Sequence, residues 1–127
     1  LGTISALHFA SQSGAKRLGG IVLGSGFAGR IPGLPTLDGF DVDAYADRAK
    51  IDAATIHAMS PVLHHVISTN DYVVPPAVSE QLAQRLGGTV HRVPDAGHFL
   101  DREGFTELPV ALQAVEDVVQ GAGMAGR

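Results

Sequence analysis

Two residues of this chain have side chains and a spacing suited to proton transfer. Asp71 follows the apolar stretch 62–69, and His98 follows the shorter apolar stretch 89–93. A carboxylate that accepts a hydrogen bond from imidazole Nδ1 fixes the tautomer of the ring and stabilises its cation. The other ring nitrogen can then take a proton from a hydroxyl nucleophile. The pair therefore predicts the acid and the base of a catalytic triad.

Each of the two residues also has a purely structural explanation. An aspartate after a strand is often a turn residue, and Gly97-His98 by itself is compatible with an ordinary loop. For either residue alone the structural explanation is the better one. Together, with the acid before the base and each at the end of a predicted strand, Asp71 and His98 favour the catalytic explanation.

A parallel sheet would bring the acid and the base together. Three apolar runs, 20–24, 62–69 and 89–93, are typical of buried strands, and they alternate with helical patterns. This alternation predicts an α/β fold: a parallel sheet with right-handed crossovers and helices on both faces. Functional side chains in such sheets lie at the carboxyl ends of the strands. One helix and one strand separate Asp71 from His98, so their loops are expected to be neighbours.

Helices and a lid are predicted around these strands. The first helix spans Gly2 to Gln12, and another opens at Pro75-Pro76 and ends at Gly87-Gly88. Residues 27–56 are predicted as a lid, a Gly/Pro-rich loop followed by one helix over 42–56. A last helix over 108–120 is predicted to carry one apolar face, and 121–127 to be a frayed tail. The residues of that apolar face are Leu108, Leu112, Val115 and Val119.

Composition and charge narrow the class of protein. The 127 residues, 45% hydrophobic and 17% charged, are typical of one soluble α/β domain. The net charge of −4 and the absence of a basic run argue against nucleic acid or an anionic membrane as a partner. The absence of cysteine excludes disulfides and thiolate chemistry. With no membrane-spanning run or signal-peptide pattern, we expect a cytoplasmic protein that is a monomer at full length.

Other chemically suggestive patterns are weaker. Residues 24–29 satisfy G-x-G-x-x-G after a strand, but the segment 30–33 contains Pro32 and Gly33 and cannot open the helix that holds a pyrophosphate. His64 and His65 are adjacent in a strand, so they point to opposite faces and cannot chelate one ion together. His8 and His91 have no evident partner in the sequence. We therefore expect no metal and no cofactor.

The residues around the acid and the base resemble those of small serine hydrolases in the α/β-hydrolase superfamily. The segment 66–75, VISTNDYVVP, looks like their acid-bearing strand end, and Gly97-His98-Phe99 looks like their histidine loop. The resemblance covers most of the chain and extends to the compact serine hydrolases grouped with retinoblastoma-binding protein nine. It implies an esterase-like enzyme that acts on a carboxylic ester, thioester or amide. It also implies that Phe27 and Phe99 lie in the pocket for the acyl group.

The nucleophile elbow of that superfamily, Gly-x-Ser-x-Gly, is absent from the sequence, because no serine has glycine both two residues before and two residues after it. Leu1-Gly2-Thr3 before a helix resembles the continuation of such an elbow. The resemblance then makes Gly2 the last elbow glycine and the Leu1 amide an oxyanion-hole donor. We therefore expect residues 1–127 to be the C-terminal part of a single α/β-hydrolase domain, inactive alone, with its serine before Leu1.

Two functions are compatible with these patterns. The first is a serine hydrolase with a small or medium acyl substrate, favoured by the matched placement of Asp71 and His98. The alternative is a non-catalytic α/β-hydrolase-like module that binds a partner or ligand in the same crevice, favoured by the missing serine. The residues that precede Leu1 distinguish the two, since a Gly-x-Ser there supports the enzyme.

Overall fold

The computed structural model of the protein describes residues 1–14, 17–60 and 62–125, with side chains described as far as Gly121. Its elements run in the order α1 (Gly2–Gln12), β1 (Ile21–Gly24), β2 (Thr36–Leu37), β3 (Phe40–Asp41), α2 (Val42–Arg48), α3 (Ala53–Met59), β4 (Leu63–Ser68), α4 (Pro76–Leu86), β5 (Thr89–Val93), a 3-10 turn (Asp101–Glu103) and α5 (Pro109–Ala125). In the described part of the chain, no helix combines the length and the apolar character needed to cross a bilayer.

A three-stranded parallel sheet lies at the centre of the fold. Its strand order is β1-β4-β5, with Gly24 opposite Val66 and Ser68 opposite Val93. The carboxyl ends of the three strands therefore meet at one edge of the sheet. All six side chains of β4 are buried. Because successive side chains point to opposite faces, both faces of the sheet are covered. The predicted α/β fold with a parallel sheet is confirmed.

Two apolar clusters form the core. The first packs α1, α3 and α4 against the sheet and consists of Leu7, Leu23, Ile56, Leu63, Leu82 and Leu86. The second lies at the carboxyl edge of the sheet, where it joins α1, α2 and the loops after β1 and β4; it consists of Ile4, Phe27, Ile31, Val42, Ala46 and Val74. The second cluster supports the loops that carry the candidate site.

The segment predicted as one helix over 42–56 is two helices, so that prediction is wrong. The side chain of Asp52 accepts hydrogen bonds from the backbone N–H groups of Ala54 (3.0 Å) and Thr55 (3.3 Å). A side chain that satisfies the free N–H groups of a first turn starts a new helix, here α3. The preceding loop also differs from the prediction, because β2 and β3 pair there as a short antiparallel hairpin.

The last helix packs through a different face from the one predicted. Leu112 is 61% exposed and Val119 is 64% exposed, whereas Ala114 is buried. Val118 also faces inward, since a Cβ added to Gly20 would lie 2.4 Å from its Cγ1. Apolar residues occupy most of the helix circumference, so the periodicity alone could not select the inner face. The predicted tail 121–127 is helical to Ala125, and residues 126 and 127 lie outside the described residues.

Candidate active site

The carboxylate of Asp71 is held inside the loop that follows β4. Its Oδ1 accepts hydrogen bonds from the backbone N–H groups of Val73 and Val74, both at 2.9 Å. The side chain is only 2% exposed. Ionised carboxylates are buried only where hydrogen bonds replace their water, and this short local turn supplies two of them. The turn therefore leaves Oδ2 for partners from other loops.

His98 is the partner of this carboxylate from the loop after β5. Its Nδ1 lies 2.8 Å from Oδ2 of Asp71. An ionised carboxylate can only accept a hydrogen bond, so Nδ1 carries the proton and donates it. Nε2 is then the unprotonated nitrogen of the neutral ring. Because the His98 side chain is 27% exposed beside a cavity, Nε2 is available to act as a general base.

Hydrogen bonds hold the histidine loop, the segment after β5 that carries His98, on two sides. The backbone N–H of Gly97 donates to Oδ1 of Asn70 at 2.8 Å, which ties this loop to the aspartate loop. On the other side, Oε2 of Glu103 accepts from the backbone N–H groups of His98 (2.9 Å) and Leu100 (3.0 Å). Gly97 has a φ of 56°, and a Cβ there would lie 2.5 Å from the Glu103 carboxylate. Both the positive φ and this contact therefore favour glycine directly before His98.

Glu103 is a carboxylate of this loop cluster whose pKa is lowered. A hydrogen bond from the Tyr72 hydroxyl is the largest cause that lowers the pKa of Glu103 below its ordinary value. The backbone N–H groups of Leu100 and His98 lower that pKa further. The carboxylate thus stays charged in mildly acidic solution and keeps hold of the histidine loop. The sequence carries no signal for the role of Glu103 or Asn70, because both side chains act by accepting hydrogen bonds from backbone N–H groups of the histidine loop.

The hydroxyl of Ser25 donates a hydrogen bond to the Asp71 carboxylate. Its Oγ donates to Oδ2 of Asp71 at 2.9 Å, the same oxygen that receives His98. In the sequence, Ser25 lacks the glycine pair of a nucleophile elbow and stands at the end of the first predicted strand, one of the three strand ends where functional side chains are expected. The sequence does not predict its bond to Asp71, which follows from β1 lying beside β4 so that their carboxyl ends meet.

A cavity of about 240 Å³ opens beside His98. Its lining is mostly apolar and consists of Leu1, Gly2, Thr3, Gly24, Ser25, Phe27, Ile31, Leu34, Leu37, Val42, Val73, Val74 and His98. Of the residues predicted from the sequence, Leu1, Gly2 and Phe27 therefore share the cavity with His98. Phe99 is not among the lining residues, and its ring instead packs edge-to-face on Phe105, with 5.7 Å between ring centroids.

The first turn of α1 lies at this cavity. The helix begins at Gly2, and no side chain caps its N-terminus. The N–H groups of a first helical turn have no partner within the helix, and the helix dipole makes that end positive. Gly2 and Thr3 belong to this turn and also line the cavity. The arrangement is suited to stabilising negative charge on a carbonyl oxygen.

Four of the other histidines, His8, His64, His65 and His91, have structural partners. Nδ1 of His64 lies 2.8 Å from Nε2 of His91, and the two rings stack, so His91 has a partner that was not evident in the sequence. The partner was not evident because it lies on the neighbouring strand, 27 residues away. Nε2 of His65 lies 2.8 Å from the Gly87 carbonyl oxygen, and Nδ1 of His8 accepts a backbone N–H. No cluster of three potential metal ligands occurs among the residues that the structure describes.

Three comparisons with known proteins agree with one another. Residues 1–117 match the sequence model of a family described as serine hydrolase. The chain is 39% identical over 95 residues to the putative hydrolase YdeN of Bacillus subtilis (strain 168), which covers 75% of this chain and 47% of that protein. The crystal structure of the B. subtilis ydeN gene product superposes with a TM-score of 0.83 and 30% identity, covering 94% of this chain and 61% of the other. The chain thus spans about half the length of this curated relative.

Proposed function

Because the chain belongs to the serine hydrolase family, we propose that it supplies the acid and the base of a Ser-His-Asp triad. The observation that carries the proposal is the 2.8 Å hydrogen bond between His98 Nδ1 and Asp71 Oδ2, beside a cavity that the histidine lines. The complete protein would hydrolyse a carboxylic ester, thioester or amide. The narrower kinship with the compact branch around retinoblastoma-binding protein nine, the cytoplasmic location and the monomeric state stay predictions.

The proposed mechanism follows from the tautomer of His98. Nε2 accepts the proton of a serine hydroxyl while the serine oxygen attacks the substrate carbonyl carbon. Asp71 stabilises the imidazolium, which then gives its proton to the leaving group as the carbon–leaving-group bond breaks. Water repeats the sequence on the acyl-enzyme, with His98 again first base and then acid. The product acid and the free serine complete the cycle.

We place the nucleophile directly before Leu1. Leu1, Gly2 and His98 line one cavity, and α1 begins at Gly2, as expected for a strand–serine–helix elbow. In this arrangement the Leu1 N–H would be one donor to the oxyanion. Ser25 is the serine that lines the cavity, but its hydroxyl is bonded to Asp71 rather than aimed at the base. It therefore does not fit the role of nucleophile.

The cavity favours a short apolar acyl group. Its volume of about 240 Å³ lies below the roughly 300–1,000 Å³ of typical drug-sized ligand pockets. Phe27, Ile31 and Val42 supply apolar walls that are themselves buried in the core. Within a series of p-nitrophenyl esters, we expect kcat/KM to rise over the first few acyl carbons and then to fall. A rate that keeps rising with chain length would contradict this assignment.

The test of the proposed function is labelling of the complete protein, including whatever precedes Leu1, with a fluorophosphonate probe. Mass spectrometry should locate the adduct on a serine before Leu1, and His98→Ala should abolish it. The matched control is His57→Ala, which removes an exposed histidine on α3 and should leave labelling intact. Asp71→Asn should lower kcat about 10³- to 10⁴-fold, because the amide favours the wrong tautomer of the base.

Absence of labelling, or labelling that survives His98→Ala, would exclude the triad. The alternative would then be a non-catalytic module that binds a ligand in the same cavity. One observation favours that alternative: among the cavity-lining residues, neither Ser25 nor Thr3 is placed as an activated nucleophile. Saturable binding of a short-chain ester by the complete protein, without turnover, would support it.

A further inference from the structure

We infer that Ser25 is a positioning residue for the acid–base pair. Its hydroxyl holds the Asp71 carboxylate in the orientation that receives His98. The expected effect of Ser25 on kcat rests on the proposed hydrolase function. The expected effect of Ser25 on the hydrogen bond between Asp71 and His98 does not. Three features of the structure support it: the four hydrogen bonds to the Asp71 carboxylate, the backbone conformation of Ser25, and the contacts that hold the turn around Ser25.

The Asp71 carboxylate receives four hydrogen bonds, two on each oxygen. Val73 and Val74 donate to Oδ1, and His98 and Ser25 donate to Oδ2. The donors to Oδ1 come from the loop of Asp71 itself, whereas the donors to Oδ2 come from the ends of the two flanking strands, β5 and β1. Without Ser25, the base alone would fix the orientation of Oδ2. The serine thus provides a fixed donor while the imidazole gains and loses its proton.

The backbone of Ser25 is in a conformation that favours glycine. Its φ is 46°, in the left-handed region that residues with a Cβ enter at a cost. Glycine would remove that cost, and glycines stand on both sides of Ser25 in the sequence. A non-glycine residue held in such a conformation points to a function for its side chain. Here the side chain has one evident contact to explain its presence, the hydrogen bond to Asp71.

The turn that carries Ser25 is fixed by its neighbours. The backbone N–H of Ser25 donates to the Val66 carbonyl at 3.0 Å, which continues the sheet ladder by one residue. The buried hydroxyl of Ser79 on α4 donates to the Gly26 carbonyl at 2.7 Å. A Cβ on Gly26 would lie 3.0 Å from Leu82, so the turn is packed closely against α4. The Ser25 hydroxyl is therefore presented from a rigid support.

The kinetic test compares two substitutions in the complete protein, Ser25→Gly and Ser25→Ala. Both remove the hydroxyl, but only glycine relieves the left-handed backbone, so the glycine variant should melt at the higher temperature. If Ser25 positions the acid, kcat should fall about tenfold in both variants with KM unchanged, because one hydrogen bond to a charged group is lost. Activity and thermal stability would then be uncoupled.

The matched control is Ser60→Ala. Ser60 is fully buried, and its hydroxyl donates to the Val62 carbonyl just before β4, at the opposite end of the sheet from the site. This variant should lose stability and keep its kcat. The inference is overturned if Ser25→Gly keeps the kcat of the natural protein. It is also overturned if the activities of the three variants simply follow their melting temperatures.

A second measurement does not depend on turnover. In protein with 15N-labelled histidine, the Nδ1 proton of His98 that is bonded to Asp71 should give a low-field NMR resonance. That resonance should broaden or disappear in Ser25→Gly, because the carboxylate is no longer held, and should persist in Ser60→Ala. An unchanged resonance in Ser25→Gly overturns the inference. If the natural protein shows this resonance but hydrolyses no ester and takes no probe, the proposed function fails while the positioning role of Ser25 stands.

Discussion

Among single residues, the ones that hold His98 in place accept hydrogen bonds from its ring or from the backbone of its loop. Asp71 and Asn70 receive hydrogen bonds from the histidine loop, whereas Glu103 receives them from within that loop, and together they fix the ring and the backbone of His98. Because a displacement of one ångström is enough to impair catalysis, these contacts set the accuracy of the proposed site. The importance of these contacts in the loops after β4 and β5 can be measured by substituting residues, such as Gly97 and Glu103, that have no proposed part in the reaction.

Gly97→Ala should disrupt the histidine loop. The new Cβ would clash with the Glu103 carboxylate, which can move away only by giving up its hydrogen bonds to His98 and Leu100. We expect urea unfolding to show a loss of about 2–4 kcal/mol in the free energy of unfolding. Gly14→Ala is the matched control, since Gly14 also has a positive φ but has none of the described residues within 4 Å of its Cβ position. It should cost only about 1–2 kcal/mol, and equal losses would refute the steric argument.

The depressed pKa of Glu103 predicts a stability loss in acid. A carboxyl group whose pKa is lower in the folded state stabilises the fold above its unfolded pKa, near 4.5, and this contribution disappears as the pH falls through the folded value. Thermal melts between neutral pH and the acid range should show this loss for the natural protein. Glu103→Gln should lack that component of the pH dependence. Parallel curves for the two proteins would show that Glu103 is not linked to folding.

Among elements, the segment between β1 and β4 departs furthest from the prediction. Asp41 caps α2 and Asp52 caps α3, so two short helices replace one longer helix. This division lets Val42 pack in the cluster near the site and Ile56 pack against the sheet. A single straight helix would present both residues on one face. The helix break therefore lets one segment serve two parts of the core.

Asp52→Ala should remove the N-terminal cap of α3. The substitution removes the side chain that accepts from Ala54 and Thr55, and helix caps of this type contribute measurably to stability. We expect the melting temperature to fall by a few degrees, with any activity proposed above for the complete protein unchanged at temperatures below the transition. Asp117→Ala, on the exposed face of α5, is the control and should melt close to the natural protein. If the two variants melt alike, Asp52 does not act as a cap.

For the whole molecule, the central sheet described by the structure has two edge strands, β1 and β5, and the edge formed by β1 is the one adjoining the candidate site's first loop. Among the described residues, β1 pairs with β4 and with no other strand. Its other edge presents free N–H and C=O groups next to apolar side chains, which is a template for pairing with another chain. We therefore predict that residues 1–127, expressed alone, associate in a concentration-dependent way. Size-exclusion chromatography with light scattering should show this, and a monodisperse monomer with cooperative melting would contradict it.

The parallel strands, the loops that carry Asp71 and His98, and the glycine before His98 could all be read from the amino-acid sequence. They follow from short-range patterns: apolar runs, helix starts and stops, and residue types at strand ends. The bond from Ser25 to Asp71, the His64–His91 pair and the inner face of α5 became visible in the folded chain alone. The reason is that these contacts join residues far apart in the chain, 46 positions for Ser25 and Asp71. The identity of such a partner depends on strand order and packing, which local patterns do not encode.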